Sequence, residues 1–291
     1  MTTEDDRQPS EFSAGASALV VIPVEDALSG IIGVARRAGR DVTEKLSAAL
    51  GSVGWKSGVG GMPLWTLRLM AKRGAAAAQR ELGYRLASGG GIEADPVEAF
   101  QWFRLSAKQG DAASQYALGV MYANGQGVTE GKLQASVWYQ KAAEQGHAAA
   151  QFNLAVLYDS GEGVGRDPDK AYAWYIRAAE QYYARALFNL GIIYENGEDR
   201  SPDPARALDY FIRAAEQNFV PAQLRAATAC LEGVGGEANP ADAWFWFSVA
   251  AGSLPPGEDR DYAEQGKEAA TRSMSLAAFE AASRRLKERQ G

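Results

Sequence analysis

The chain of 291 residues contains one cysteine, Cys230, and one histidine, His147. A single cysteine excludes an internal disulfide framework and a cysteine-rich zinc site. A single histidine leaves little for metal or triad chemistry. Positive charge is also short: 30 Lys and Arg against 36 Asp and Glu give a formal charge of −6. With no clustered basic face, nucleic acid is excluded as a partner, because phosphates demand one. Long apolar runs are missing. The most apolar stretch, ALVVIPVEDALSGIIGVARRAG, is broken by Pro23, Glu25 and Asp26, too often for a transmembrane helix. The first residues, MTTEDDRQPSEF, are acidic and polar with no basic region before an apolar core, so a cytoplasmic chain without a secretory signal is expected. Arginine outnumbers lysine 21 to 9, which suggests a GC-rich bacterial genome.

What the chain does have is an internal repeat. Counted from Ala75, five blocks of 36 residues follow without a gap: 75–110, 111–146, 147–182, 183–218 and 219–254. Leu82, Leu118, Leu154 and Leu190 share one position, followed by the small residues Gly83, Gly119, Ala155, Gly191 and Ala227. Trp102, Trp138, Trp174, Tyr210 and Trp246 share another, each followed by a second aromatic, and Ala107, Ala143, Ala179, Ala215 and Ala251 recur after them. A fixed period of this length is the signature of a stacked repeat architecture.

Each block reads as two helices. The first stops at Gly89, Gly125, Gly161, Gly197 or Gly233, residues free to take the left-handed cap conformation. The second starts at Asp95-Pro96, Asp167-Pro168, Asp203-Pro204 or Asn239-Pro240, an N-cap side chain followed by a proline suited to the first helical position. The glycine-rich loop Gly161-Glu162-Gly163-Val164-Gly165 is therefore punctuation rather than a phosphate cradle, which would be needed only once. The stretch Gly54-Trp55-Lys56-Ser57 also fails as a phosphate loop, since Trp55 separates glycine from lysine and no strand precedes it. The aromatic at the Trp position is expected to pack across the helix pair, and the alanines at 99, 135, 171, 207 and 243 to let helices approach closely. No helix pair buries its faces alone, so stability comes from stacking.

These residues resemble the Sel-1-like repeat family, relatives of the tetratricopeptide repeats. ALGVMYANGQGV with ASVWYQKAAEQG in the second block carries its pattern almost in full, while the fourth block lacks the second loop glycine and the fifth has Cys230 in place of tyrosine. The resemblance implies an all-α, right-handed α/α solenoid and a non-enzymatic adaptor or scaffold, of a kind tied in bacteria to envelope assembly, polysaccharide production, polarity or host contact. It also implies that the first helices line a concave face. The position before the repeated leucine reads Glu81, Ala117, Asn153, Asn189 and Arg225, and in tetratricopeptide repeats the matching asparagine holds the backbone of a bound peptide. Tyr84, Val120, Val156 and Ile192 follow on the same face as apolar contacts. The competing reading is that Asn153 and Asn189 only hydrogen-bond between neighbouring helices.

No cofactor or metal is expected, and no enzyme activity. Ser-x-x-Lys, in which lysine activates a serine, occurs nowhere. Glu144, Glu180 and Glu216 recur as a solvated face would. His147 reads as an exposed turn residue and Cys230 as a buried, inert thiol. The organisation is a tail at 1–24, an amphipathic helix and glycine-rich loop at 25–60, a degenerate half-repeat at 61–74, the repeats at 75–254 and closing helices at 255–291. The amphipathic stretch, 25–53, carries Leu28, Ile31, Ile32, Ala35, Val42, Leu46, Ala49 and Val53, with Arg36, Arg37, Arg40 and Lys45 among its polar residues. Three uses fit it: an N-terminal cap on the solenoid, a partner-binding or self-association helix, and peripheral contact with an anionic membrane. The expected partner is therefore a protein or peptide. The alternative is a membrane-associated or self-assembling structural component.

Overall fold

The computed structural model describes residues 59–197 and 200–290. The tail at 1–24 and the amphipathic segment at 25–53 lie outside the described residues. Within them the chain is all helical, as the repeat requires: one 3-10 turn at Val59–Gly61, thirteen α-helices and no strand. The half-repeat supplies α1 (Leu64–Lys72). The repeats supply α2 (Ala76–Ser88) with α3 (Pro96–Lys108), α4 (Ala112–Asn124) with α5 (Lys132–Glu144), α6 (Ala148–Ser160) with α7 (Pro168–Glu180), α8 (Ala184–Asn196) with α9 (Pro204–Glu216), and α10 (Val220–Glu232) with α11 (Pro240–Ser253). Two more helices, α12 (Glu258–Arg272) and α13 (Leu276–Gln290), close the chain. It gathers into two compact units: residues up to Ala142 with Val156–Asp167, and Ala143–Ala155 with Pro168 onward. In each unit consecutive helices pack on one another, which is the α/α solenoid arrangement.

The punctuation behaves as its chemistry dictates. Asp95 accepts from the Glu98 backbone N–H at 2.8 Å, and Asp203 and Asn239 accept from Arg206 and Asp242, each at 3.1 Å. Gly89 and Gly161 end their helices at φ +71° and +76°. The second loop glycine has a different task. A Cβ on Gly163 would stand 2.5 Å from the backbone of Lys132, the first residue of α5, and one on Gly127 or Gly235 would collide with the carbonyl of Pro96 or Pro204. These three loops thus lie directly on the start of the preceding repeat's second helix, and only glycine permits that distance. His147 is half-buried rather than exposed, because it is a cap: its Nδ1 accepts from the Ala150 N–H at 3.3 Å.

The aromatic pair divides its labour in a way the sequence did not disclose. The residue after the Trp position packs across the helix pair, and Phe103, Tyr139, Tyr175, Phe211 and Phe247 are all buried. A Cβ on Gly83 would stand 2.8 Å from the Phe103 ring and one on Gly191 2.5 Å from the Phe211 ring, so these glycines are the sockets for the rings. Of the Trp-position residues, Trp102, Trp138 and Tyr210 are only half-buried. Lys141 lies over Trp138 and Arg177 over Trp174, each at 4.4 Å, and Arg213 over Tyr210 at 5.3 Å. At such sites a cation over a ring contributes about 0.5–1 kcal/mol.

A buried glutamine ladder ties repeats together. Nε2 of Gln79, Gln115, Gln151 and Gln223 donates to the carbonyls of Ala71, Ala107, Ala143 and Ala215 at 3.0, 3.2, 3.1 and 3.3 Å. These carbonyls lie in the last turn of the preceding repeat's second helix, where each also accepts from the backbone N–H three residues on, that of Gly74, Gly110, Gly146 or Asn218. Gln109 and Gln181 in turn donate to Gln79 Oε1 and Gln151 Oε1 at 2.7 and 2.8 Å. In the fourth repeat Leu187, fully buried, stands in the ladder position.

Candidate binding face

The face expected from the first helices falls partly in each unit. In the first unit, Tyr84 and Val120 are buried and Val156 is half-buried. Tyr84 packs edge-on against Phe103, with ring centroids 5.0 Å apart, and burial pushes its phenol far above the usual range. Together with Ala87, Ala117 and Met121, Tyr84 and Val120 line a small apolar cavity of about 40 Å³. These two side chains are core groups with little surface to offer.

Glu81 is placed differently. Its carboxylate accepts from Arg85 Nε at 2.9 Å, and the Arg85 guanidinium then donates to the carbonyls of Gly60 at 2.9 Å and Met62 at 3.0 Å. A first-helix arginine, braced by the expected Glu81, thereby holds the 3-10 turn and the residue after it through their carbonyls. A guanidinium presents several donors in a fixed fork, which suits this role. Arg85 was not singled out in the sequence because Met121, Leu157, Ile193 and Ala229 occupy the same position elsewhere, so no periodic signal marks it.

In the second unit Asn153 is buried, whereas Asn189, Ile192 and Arg225 are half-buried and reach the surface. Asn189 Nδ2 donates to Tyr175 Oη at 3.1 Å, a bond between neighbouring helices. Arg225 pairs with Glu195 of the preceding repeat at 3.3 Å, and Thr228 Oγ1 lies 2.7 Å from Tyr262 Oη. The result is a row of amide, carboxylate, guanidinium and hydroxyl groups on adjacent first helices, with Ile192 among them.

A second polar cluster, on α7 to α9, offers less. Tyr172 and Tyr194 share a hydrogen bond of 2.7 Å, with Tyr210 stacked on Tyr194. Burial pushes Tyr172 up to about 12, and the bond from Tyr172 pulls Tyr194 down. Its arginines are each paired, Arg200 with Asp169, Arg206 with Asp203 and Arg213 with Asp209, so the cluster is no anion site. Among the described residues no three His, Cys, Asp or Glu side chains are grouped to hold a metal ion, and no helix is long and apolar enough to cross a membrane.

Comparison with known proteins gives the same architecture. The Sel1 repeat matches residues 76–111, 112–147, 148–183, 184–219 and 220–252. No curated protein matches the sequence. Among solved structures, a protective antigen of uropathogenic Escherichia coli strains with an SLR fold is 31% identical over 75% of this chain, with a TM-score of 0.64. The chain spans 50% of that antigen's length. A Sel1 repeat protein from Oxalobacter formigenes is 30% identical over 72% of this chain and 93% of its own, with a TM-score of 0.62. With five consecutive matches across most of the chain, and with loop glycines, ring sockets and caps in their places, the chain belongs to the Sel1 repeat family.

Proposed function

We propose that the chain is a non-enzymatic adaptor that holds an extended segment of a partner protein along the exposed surface of its first helices. Sel1 repeat proteins generally mediate protein–protein interaction. The observation that carries the specific reading is the Arg85 clamp, in which a first-helix side chain grips the backbone carbonyls of Gly60 and Met62. Backbone carbonyls are common to every peptide, so a first-helix side chain that grips them takes any segment of suitable shape. Within the second unit, Asn189, Ile192 and Arg225 offer an amide, an apolar contact and a charge for such a segment. Asn153 is too buried for direct contact and supports the helix on which it stands.

The test is affinity capture from the native host with wild type and an Asn189→Ala/Arg225→Ala variant of verified helicity. Both residues reach solvent, so the fold survives their truncation. Loss of a captured protein from the variant alone supports the first-helix face. An identical set of captured proteins refutes it.

A further inference from the structure

The two sides of α1 differ. Its inner side is covered: Leu67 and Ala71 are buried, and the turn at Val59–Gly61 rests on α2 with Val59 and Met62 buried. Its outer side is bare. Trp65 is 70% exposed and Leu69 43% exposed, and α3, joined to α1 by the Arg68–Glu98 ion pair at 3.4 Å, adds exposed Val97 and Leu105. Single exposed apolar residues are ordinary, but a group on adjacent helices marks a surface that something covers.

The other end of the array shows what covers such a position. Five periods after Trp65 stands Phe245 on α11, and it is only 2% exposed. There α13 lies over the helix: the Arg285 guanidinium sits 3.9 Å from the Phe245 ring centre and pairs with Asp242, and Phe279 packs edge-on against Trp244 at 5.1 Å. An amphipathic helix of this chain is thus seated on the outer face of the last repeat.

We propose that the outer face of α1 and α3 is the seat of the chain's own residues 25–53, held there as α13 is held on α11. The segment has the apolar spacing to fill the seat, with Leu28, Ile31 and Ile32 on one stripe. It ends within reach of it, because Arg85 fixes Gly60 and Met62 just before α1 begins, leaving a tether of six residues, 54–59. So short a tether gives an effective concentration on the order of millimolar, which favours an occupant in the same chain over one from solution.

Hydrogen–deuterium exchange on the full chain, read by mass spectrometry and accompanied by light scattering, tests the seat. In a single-copy protein, amides in 25–53 are expected to exchange at least about tenfold more slowly than unstructured chain. Trp65→Ser/Leu69→Ser, at solvent-exposed positions, is expected to abolish that protection while α4 and α8 stay unchanged. Ile31→Glu/Ile32→Glu should act identically from the other side of the contact. Free exchange of 25–53 in wild type overturns the proposal, as does protection that survives Trp65→Ser/Leu69→Ser. Protection that appears only with a dimer mass also overturns it, and gives the face to a second copy.

Discussion

Replacing glycine by alanine inside a helix ordinarily stabilises, by up to about 1 kcal/mol, because glycine has more chain freedom to lose. At Gly191 the sign is expected to reverse. A Cβ there would stand 2.5 Å from Phe211 Cε1 and 2.6 Å from Cδ1, well inside the ~3.5–4.0 Å at which carbon atoms rest. Phe211 cannot swing aside, since it is 1% exposed and hemmed by Phe188 at 5.5 Å. Overpacking of this kind costs about 1–3 kcal/mol, so Gly191→Ala should lose up to roughly 2 kcal/mol after the helix-propensity gain of up to about 1 kcal/mol is subtracted. Gly252 is the control. It lies in α11, and a Cβ there would meet nothing within 4 Å, so Gly252→Ala should gain a few tenths to about 1 kcal/mol. Urea titrations followed by far-UV circular dichroism compare the two, with tryptophan emission as a second probe because repeat arrays can unfold in steps. A higher midpoint for Gly191→Ala, matching that of Gly252→Ala, would refute the socket argument.

Three further outcomes are expected. Gln223 Oε1 is buried without a hydrogen-bond partner, and Ser253 stands where Gln109 and Gln181 serve the equivalent glutamines. Ser253→Gln should therefore raise stability by about 1 kcal/mol, and an unchanged thermal midpoint would count against the ladder. Tyr182 holds φ +57° at the position where Gly110 and Gly146 hold +92° and +87°. Since a side chain in the left-handed region costs roughly 1–2 kcal/mol, Tyr182→Gly should be stabilising by thermal melt. Burial pushes the Cys230 thiol up to about 11, so native protein at pH 8 should resist an aromatic disulfide reagent that labels it within minutes in urea. The raised value also means that this group's contribution to stability is complete below its unfolded value of about 8.5 and is lost as pH climbs towards 11. Urea midpoints that stay level across that interval would contradict it.

Helix punctuation was legible in the sequence because it depends on single residues with special backbone chemistry. Gly161 and Asp95 each announce a local conformation that tertiary packing has no reason to override. The division of labour within the aromatic pair was not legible, since Trp138 and Tyr139 are both large, apolar and recurrent, and only their angle around α5 decides which is buried. The glutamine ladder did leave a trace, four glutamines at one position with a period of 36 residues, but polar residues attract little notice when the search is for apolar spacing. The candidate face was the least legible part. Tyr84 and Val120 are buried because the glycine sockets at Gly83 and Gly119 draw the paired helices together, and that closeness cannot be read from their own positions. The Arg85 clamp occurs once, and a period cannot reveal what does not repeat.

The ladder also sorts the joints between repeats into two kinds. Where a glutamine crosses the joint, a directional bond fixes how far one repeat can slide or turn on the next. Leu187 removes that bond from the joint between the third and fourth repeats, and side-chain bonds from Tyr194 to Tyr172 and from Arg200 to Asp169 cross it instead. The bond from Asn189 to Tyr175 crosses the same joint. A segment that engages the Asn189 amide would compete with one of these bonds, so occupancy of the surface would bear on how firmly this joint is held.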